Sequence, residues 1–259
     1  MTPRIDTARR RFITRSLAAS SAALLTGCDT LSRTDWFTRM LGSAEALNQR
    51  VHHFITPAQA QAREFTEADI SAHFKSNGTR YPDNIEYQVL ALNNFANWRL
   101  QVGGLVEKPT RLSLAQVRGL PARTQITRHD CVEGWSCIGK WKGAKLGALM
   151  ELVQPLPNAR YVVCYCYDSL IPLVHEQYYY ESIPIEAAYY EQTILAYEMN
   201  DQVLPIPYGA PLRLRLERQL GYKMAKYLKR IELVESFDDI YGGHGGYWED
   251  RGYAWYAGI

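Results

Sequence analysis

Short segments suited to strands recur from Tyr87 to the C-terminus, mixed with equally short helical stretches and joined by no regular βαβ rhythm. That texture constrains the fold most, because intermixed strands and helices point to an α+β architecture with mixed sheets. Trp98-Arg99-Leu100-Gln101-Val102 alternates as a strand that Gly103-Gly104 ends. Gln125-Ile126-Thr127-Arg128 predicts a second strand, and the β-branched and aromatic run Arg160-Tyr161-Val162-Val163-Cys164-Tyr165 a buried third. Further strands are expected at 195–199, 212–216 and 231–234. Short helices are expected from Ser113, acting as N-cap, to Val117, over Ala144–Leu152, and from Ser182 to Ala187.

The first residues have a different character. Arg9-Arg10, one spacer, then Phe12-Ile13 resembles a twin-arginine export signal, and a weakly apolar run from Leu17 to Leu25 follows. That run is too short to span a bilayer as a mature helix. Leu25-Thr26-Gly27-Cys28 resembles a lipobox, which would make Cys28 a lipid anchor, and Asp29 resembles an inner-membrane retention signal. The expected location is the periplasm or cell envelope. Export in the folded state also favours a chain that takes up a cofactor before it leaves the cytoplasm. Residues 1–27 are therefore expected to be signal, 28–84 a tether and helical lead-in, and 85–259 the catalytic domain. Within the lead-in, Leu41, Ala44, Leu47, Val51 and Phe54-Ile55 recur at helical spacing. The formal charge of +2 is misleading, since residues 1–27 hold five arginines and one aspartate, which leaves the remainder acidic by two. An acidic body excludes nucleic acid as a natural partner.

Beyond Cys28 the cysteines are Cys131, Cys137, Cys164 and Cys166. Their spacing does not form the paired pattern of a tetrahedral zinc site. Cys164 and Cys166 lie two apart on one expected strand, share a face, and are badly placed to bridge each other. From composition alone these cysteines serve equally well as core residues. No CxxCH haem-attachment motif occurs.

The segment Arg128-His129-Asp130-Cys131-Val132-Glu133-Gly134-Trp135-Ser136 resembles the cysteine loop of the sulfite oxidase family, and in particular its bacterial periplasmic methionine-sulfoxide reductase branch. Asn93-Asn94-Phe95, Gly209-Ala210-Pro211-Leu212-Arg213-Leu214, Gly221-Tyr222-Lys223-Met224-Ala225-Lys226 and the ending Gly246–Tyr253 resemble further motifs of that family, in the same order. The resemblance implies a molybdenum–molybdopterin cofactor with Cys131 as the only protein ligand to the metal. A soft thiolate suits a metal already held by a dithiolene. It implies cofactor contacts from Asn93, Cys166, Arg213, Met224, Ala225 and Lys226. Cys166 and Tyr208 stand where the reductase branch has threonine and asparagine, and Ala96-Asn97 replaces its Tyr-Glu. His129, two residues before Cys131 and on the same side of an extended chain, either binds cofactor phosphate or packs as a core histidine.

Sulfite is anionic and wants a cationic pocket. The sulfite-oxidising branch places an arginine soon after its cysteine, whereas here Glu133 stands two residues on and the next basic residue is Lys140. The expected reaction is therefore reduction of S-oxides or N-oxides, with Glu133 as candidate proton source. Electrons would come from a membrane cytochrome b-type or quinol-linked partner. The alternatives are sulfite dehydrogenase-type oxidation, a cofactor-free ligand-binding lipoprotein, and a cysteine-nucleophile enzyme using Cys131 with His129 or His175 as base.

Overall fold

The computed structural model describes residues 60–170 and 177–259, together with isolated positions between 34 and 54. The signal motifs, Cys28, and His175 lie outside the described residues. The chain divides into two compact units, Met1–Thr56 and Pro57–Ile259. In the first, Ala44, Leu47, Val51 and Phe54 are helical, as their spacing predicts, and exposed; Leu41 and Ile55 lie outside the described residues.

The second unit contains two five-stranded sheets. One has the order β2 (Thr110–Ser113), β1 (Arg99–Gly104), β10 (Leu228–Val234), β5 (Tyr161–Cys166), β6 (Tyr180–Pro184). Its strands are antiparallel except for β1 and β10, which run parallel. The other has β3 (Ala122–Asp130), β4 (Ser136–Lys145) and β7 (Ile194–Met199) in line, with β8 (Gln202–Val203) and β9 (Arg213–Arg215) both paired to β7. Helices are short: α1 (Ile85–Leu92), α2 (Leu114–Arg118), α3 (Leu146–Val153) and α4 (Ile185–Ala188). The α+β expectation holds.

Local chemistry sets most boundaries. Ser113 caps α2 in a reciprocal capping box with Gln116. Asn84 caps α1 by accepting from the Tyr87 amide at 3.0 Å. Three expectations are corrected. Ala144 and Lys145 extend β4 by pairing with Leu195 and Ile194, so α3 starts only at Leu146. Ser182 pairs with Val163, so 182–184 completes a strand and α4 begins after Pro184. Gly103 and Gly104 remain within β1, paired with Glu232 and Leu233.

The larger core cluster spans the first sheet and its helices around Trp98, Leu100, Leu149, Val163 and Leu233. A smaller one joins Phe74, Cys137, Trp141, Ile194 and Met199 on the second sheet. Phe74 comes from residues 60–84, which were expected to be lead-in yet belong to the second unit. This segment buries few side chains, so hydropathy does not reveal it. Backbone bonds from Phe65 to Ile126 at 2.9 Å and from Ser71 to Ile138 at 3.0 Å hold it, together with polar side-chain bonds such as Lys140 Nζ to Glu67 at 2.6 Å and Ser76 Oγ to the Pro207 carbonyl at 2.6 Å.

Candidate active site

β3 and β4 pair from Ala122↔Ala144 to Asp130↔Ser136, so residues 131–135 form the loop of a hairpin. The Cys131 amide donates to the Trp135 carbonyl at 2.9 Å and the Gly134 amide to the Cys131 carbonyl at 3.0 Å, which closes the loop. The thiol is buried and unpaired, as are Cys137, Cys164 and Cys166. Burial pushes the Cys131 pKa up, while the Glu133 and Val132 amides aimed at the sulfur oppose that shift. Those two donors favour thiolate, the form a metal requires.

Cys131 opens into a cleft of ≈ 160 Å³. Val132 and Glu133 share its side of the mouth, and Asp168, Met224 and Lys226 line it with Tyr222, Trp248 and Tyr253. A larger hollow of ≈ 410 Å³ between residues 60–61, 189–193 and 216–218 contains none of the residues selected from sequence.

Glu133 is half exposed and accepts from Trp135 Nε1 at 2.8 Å and Lys75 Nζ at 3.3 Å. The indole bond first, and Lys75 next, lower its pKa, so it is ionised at neutral pH and a poor proton store. Trp135 is half-buried against the smaller core cluster, and Trp141 is fully buried within it.

His129 is buried, with Nδ1 3.0 Å from Arg215 Nη1. Because arginine can only donate, Nδ1 accepts and Nε2 carries the hydrogen. Burial first, then Arg215, Arg213 and Lys226, lower its pKa well below the usual value, so the ring is neutral. Nε2 finds no partner among the described residues. Gly221 lies so close that a Cβ there would stand 2.5 Å from that nitrogen. As catalytic base for Cys131, His129 would need the nitrogen that Arg215 occupies.

Arg213 lies on β9 beneath the Trp141 ring and donates to the carbonyls of Tyr208 at 3.0 Å and Met224 at 3.2 Å. Burial, then Arg215, pushes its pKa down to about 9, so it stays cationic. Its Nε has no partner among the described residues. Lys226 donates to the carbonyls of Asn77 at 2.7 Å, Pro207 at 3.1 Å and Thr79, which uses all three ammonium hydrogens. Ala225 is buried between these two cations in sequence, and its carbonyl accepts from Leu214 at 2.8 Å. Asn93 caps the C-terminus of α1, and Cys166 ends β5; neither lines the cleft.

Sequence reasoning missed Asp168. It is buried on the cleft wall, and its Oδ1 has no partner among the described residues. Burial raises its pKa and Lys226 partly opposes that.

These partnerless atoms test the implied cofactor. A pterin offers N–H donors and its phosphate offers acceptors. Asp168 Oδ1 is a buried acceptor on the cleft wall, and behind the wall lie a further partnerless acceptor at Asn93 Oδ1 and partnerless donors at His129 Nε2 and Arg213 Nε. That mixture fits. Among the described residues no cluster of three or more His, Cys, Asp or Glu could hold a metal alone. One thiolate is what a metal arriving with its own ligands needs.

The model of the oxidoreductase molybdopterin binding domain matches residues 87–241, from α1 past Lys226. A protein of Azospira oryzae, named provisionally as the protein-methionine-sulfoxide reductase subunit YedZ1, is 35% identical over 97% of this chain and 88% of its own. The protein-methionine-sulfoxide reductase catalytic subunit MsrP of Campylobacter jejuni is 27% identical, over 71% of this chain and 65% of its own. The MsrP of Xanthomonas axonopodis is 31% identical, over 71% and 62%. The chain thus spans about two thirds of the length of these MsrP relatives. The crystal structure of the sulfane dehydrogenase SoxCD from Paracoccus pantotrophus aligns with 54% of this chain and 39% of its own, at TM-score 0.49 and 19% identity. The chain belongs to the molybdopterin-binding oxidoreductase family and is related to the MsrP methionine-sulfoxide reductases.

Proposed function

We propose that this oxidoreductase removes oxygen from neutral S-oxides or N-oxides, with Cys131 as the protein ligand to a molybdenum–molybdopterin cofactor. One observation carries the direction of the reaction. Among the described residues the only basic side chain lining the cleft is Lys226; burial, then Arg213, lowers its pKa to about 7, and its hydrogens are all committed to carbonyls. Sulfite would meet no free cation there, and Glu133 stands at the mouth. Val132, Leu170, Tyr222, Trp248 and Tyr253 instead offer an apolar and aromatic wall suited to a thioether S-oxide.

The cofactor, when bound, supplies the two-electron oxygen-atom chemistry. The balance is one sulfoxide, two electrons and two protons to one thioether and one water. Asp168, Met224 and Lys226 would hold the cofactor from the cleft wall, with His129, Arg213 and Ala225 behind them and Asn93 and Cys166 as the family's further candidate contacts, and the aromatic wall would exclude water around the substrate sulfur. Protons arrive from solvent at the mouth, where Glu133 relays rather than stores them.

Electrons are proposed to come from a membrane cytochrome b-type or quinol-linked partner. Export by the twin-arginine route and a lipid anchor on Cys28 would hold the enzyme beside it. Relatives named as reductase subunits support that arrangement. No described helix is long and apolar enough to cross a membrane.

The test uses protein purified with its cofactor and reduced viologen as electron donor. Methionine sulfoxide reduction is expected to outpace sulfite oxidation measured with ferricyanide. Faster sulfite oxidation sinks the proposal.

A further inference from the structure

Outside the catalytic cleft, two buried carboxylates meet one buried lysine. Lys223 Nζ is 2.6 Å from Glu249 Oε1 and also bonds Glu181 Oε1; all three side chains are almost wholly buried. The charges do not balance. Glu181 Oε2 and Glu249 Oε2 are both buried with no partner among the described residues. Both carboxyl groups sit on one ammonium and also crowd Gly246, where a Cβ would stand 2.0 Å from Glu249 Oε2 and 2.9 Å from Glu181 Oε1. Two carboxyl groups packed together on one lysine, each with a partnerless oxygen, call for one more hydrogen.

We propose that Glu181 and Glu249 share one proton over Lys223, and that this neutral triad is the positioning device for the aromatic wall of the cleft. The triad joins three segments. Lys223 follows Tyr222, Glu249 follows Trp248 and precedes Tyr253, and Glu181 lies in β6. Tyr222, Trp248 and Tyr253 are the aromatic side chains that line the cleft from the first two segments. Tyr222 packs edge-on against Tyr253 at 5.3 Å, and Trp248 stacks on Tyr253 at 5.1 Å. Gly246, with no Cβ, makes room for the pair.

The surroundings leave one neutral solution. The titratable groups facing Glu181 and Glu249 are Cys164 and Cys166 on β5, and Tyr179 and Tyr180 at β6. Burial raises the pKa of all four, so they are neutral at physiological pH and none of them balances the carboxyl pair. Ionising both carboxylates would leave an uncompensated buried charge, which is strongly disfavoured. Burial first, and then Glu249, raises the Glu181 pKa against the pull of Lys223. A carboxyl raised in the folded state gives stability that is full at acid pH and is lost as pH rises through the folded pKa.

The substrate side of this inference rests on the proposed sulfoxide reduction; the shared proton does not. The experiment compares Glu249→Gln with Glu249→Ala in the full, cofactor-loaded chain. Glutamine keeps the shape and supplies its own hydrogen. It is expected to preserve molybdenum content and the KM for methionine sulfoxide. It should remove the infrared C=O band of a protonated carboxylic acid and flatten the fall in Tm that sets in as pH rises above the ordinary carboxyl range. Alanine is expected to raise KM about tenfold while kcat falls less, because the wall is displaced and the metal ligand is not. Glutamine as damaging as alanine, or an acid band unchanged in Glu249→Gln, overturns the shared proton. A Tm loss in Glu249→Ala with KM unmoved overturns the positioning role. Wild-type protein that reduces no sulfoxide defeats the proposed function alone, since the infrared band and the thermal titration still decide the proton.

Discussion

Residues 131–136 and residues 209–226 face one cleft, but they carry their charges on opposite terms. The cysteine loop places Glu133 in solvent, paired with Lys75, each side chain 54% exposed. The 209–226 segment buries Arg213, Arg215, Glu217, Lys223 and Lys226. An exposed pair of that kind contributes little, since water and salt screen it. A buried charge is costly unless its hydrogens and lone pairs are met, so most of its neighbours are fixed and an unmet donor such as Arg213 Nε waits for a ligand. The buried side is therefore suited to hold a cofactor in one geometry, and the exposed side is free to vary with substrate.

The largest expected effect lies where the two sides meet. Cys131→Ser should reduce sulfoxide turnover to background while pterin content is at least partly retained, because the buried side still grips the cofactor. Turnover within tenfold of wild type would remove Cys131 from the metal. Next comes the buried side itself. Arg215 donates from Nε and Nη2 to Glu217 at 2.8 and 2.6 Å, with both side chains fully buried. Arg215→Ala strands that carboxylate with Gln125 as its remaining donor and should cost about 3–5 kcal/mol in urea unfolding. A loss under about 1 kcal/mol would erase the contrast between the two sides.

Asp168 sharpens the contrast further. Its partnerless oxygen is proposed to accept from the cofactor, so Asp168→Asn should weaken cofactor retention roughly 10- to 100-fold, the weight of one charged hydrogen bond. Circular dichroism should be unchanged. The check is pterin released on dialysis; wild-type retention would exclude Asp168 from the cofactor's contacts.

The cysteine loop was legible because its residues are contiguous, and Arg213 and Lys226 because each sits in its own short motif. Asp168 was not, since a lone carboxylate after a strand carries no pattern and takes its meaning only from what it faces. β4 was hidden for another reason. Its buried positions include Gly139 and Gly143 beside Cys137 and Trp141, with Lys140 and Lys142 between them. Alternation is real there, but two of its inward places have no side chain to display it. The lead segment stayed hidden because it is attached by backbone groups and scattered polar side chains, which leave no hydrophobic pattern. Lys223 and Glu249 were visible as letters of motifs, yet the link between them is a matter of burial, which spacing does not encode.

Glu133 gives the smallest expected effect and the most pointed test. Sequence made it the candidate acid, whereas the bonds from Trp135 and Lys75 lower its pKa and leave it ionised. Glu133→Gln keeps the indole bond and removes only an exposed charge. Stability should therefore change by less than about 1 kcal/mol. If Glu133 only relays solvent protons, kcat should fall severalfold at most, and high salt, which screens the wild-type pair, should narrow the difference. A fall of about a hundredfold or more, on the scale of a lost general acid, would restore Glu133 as the proton donor. It would also show that the exposed side carries chemistry as well as access.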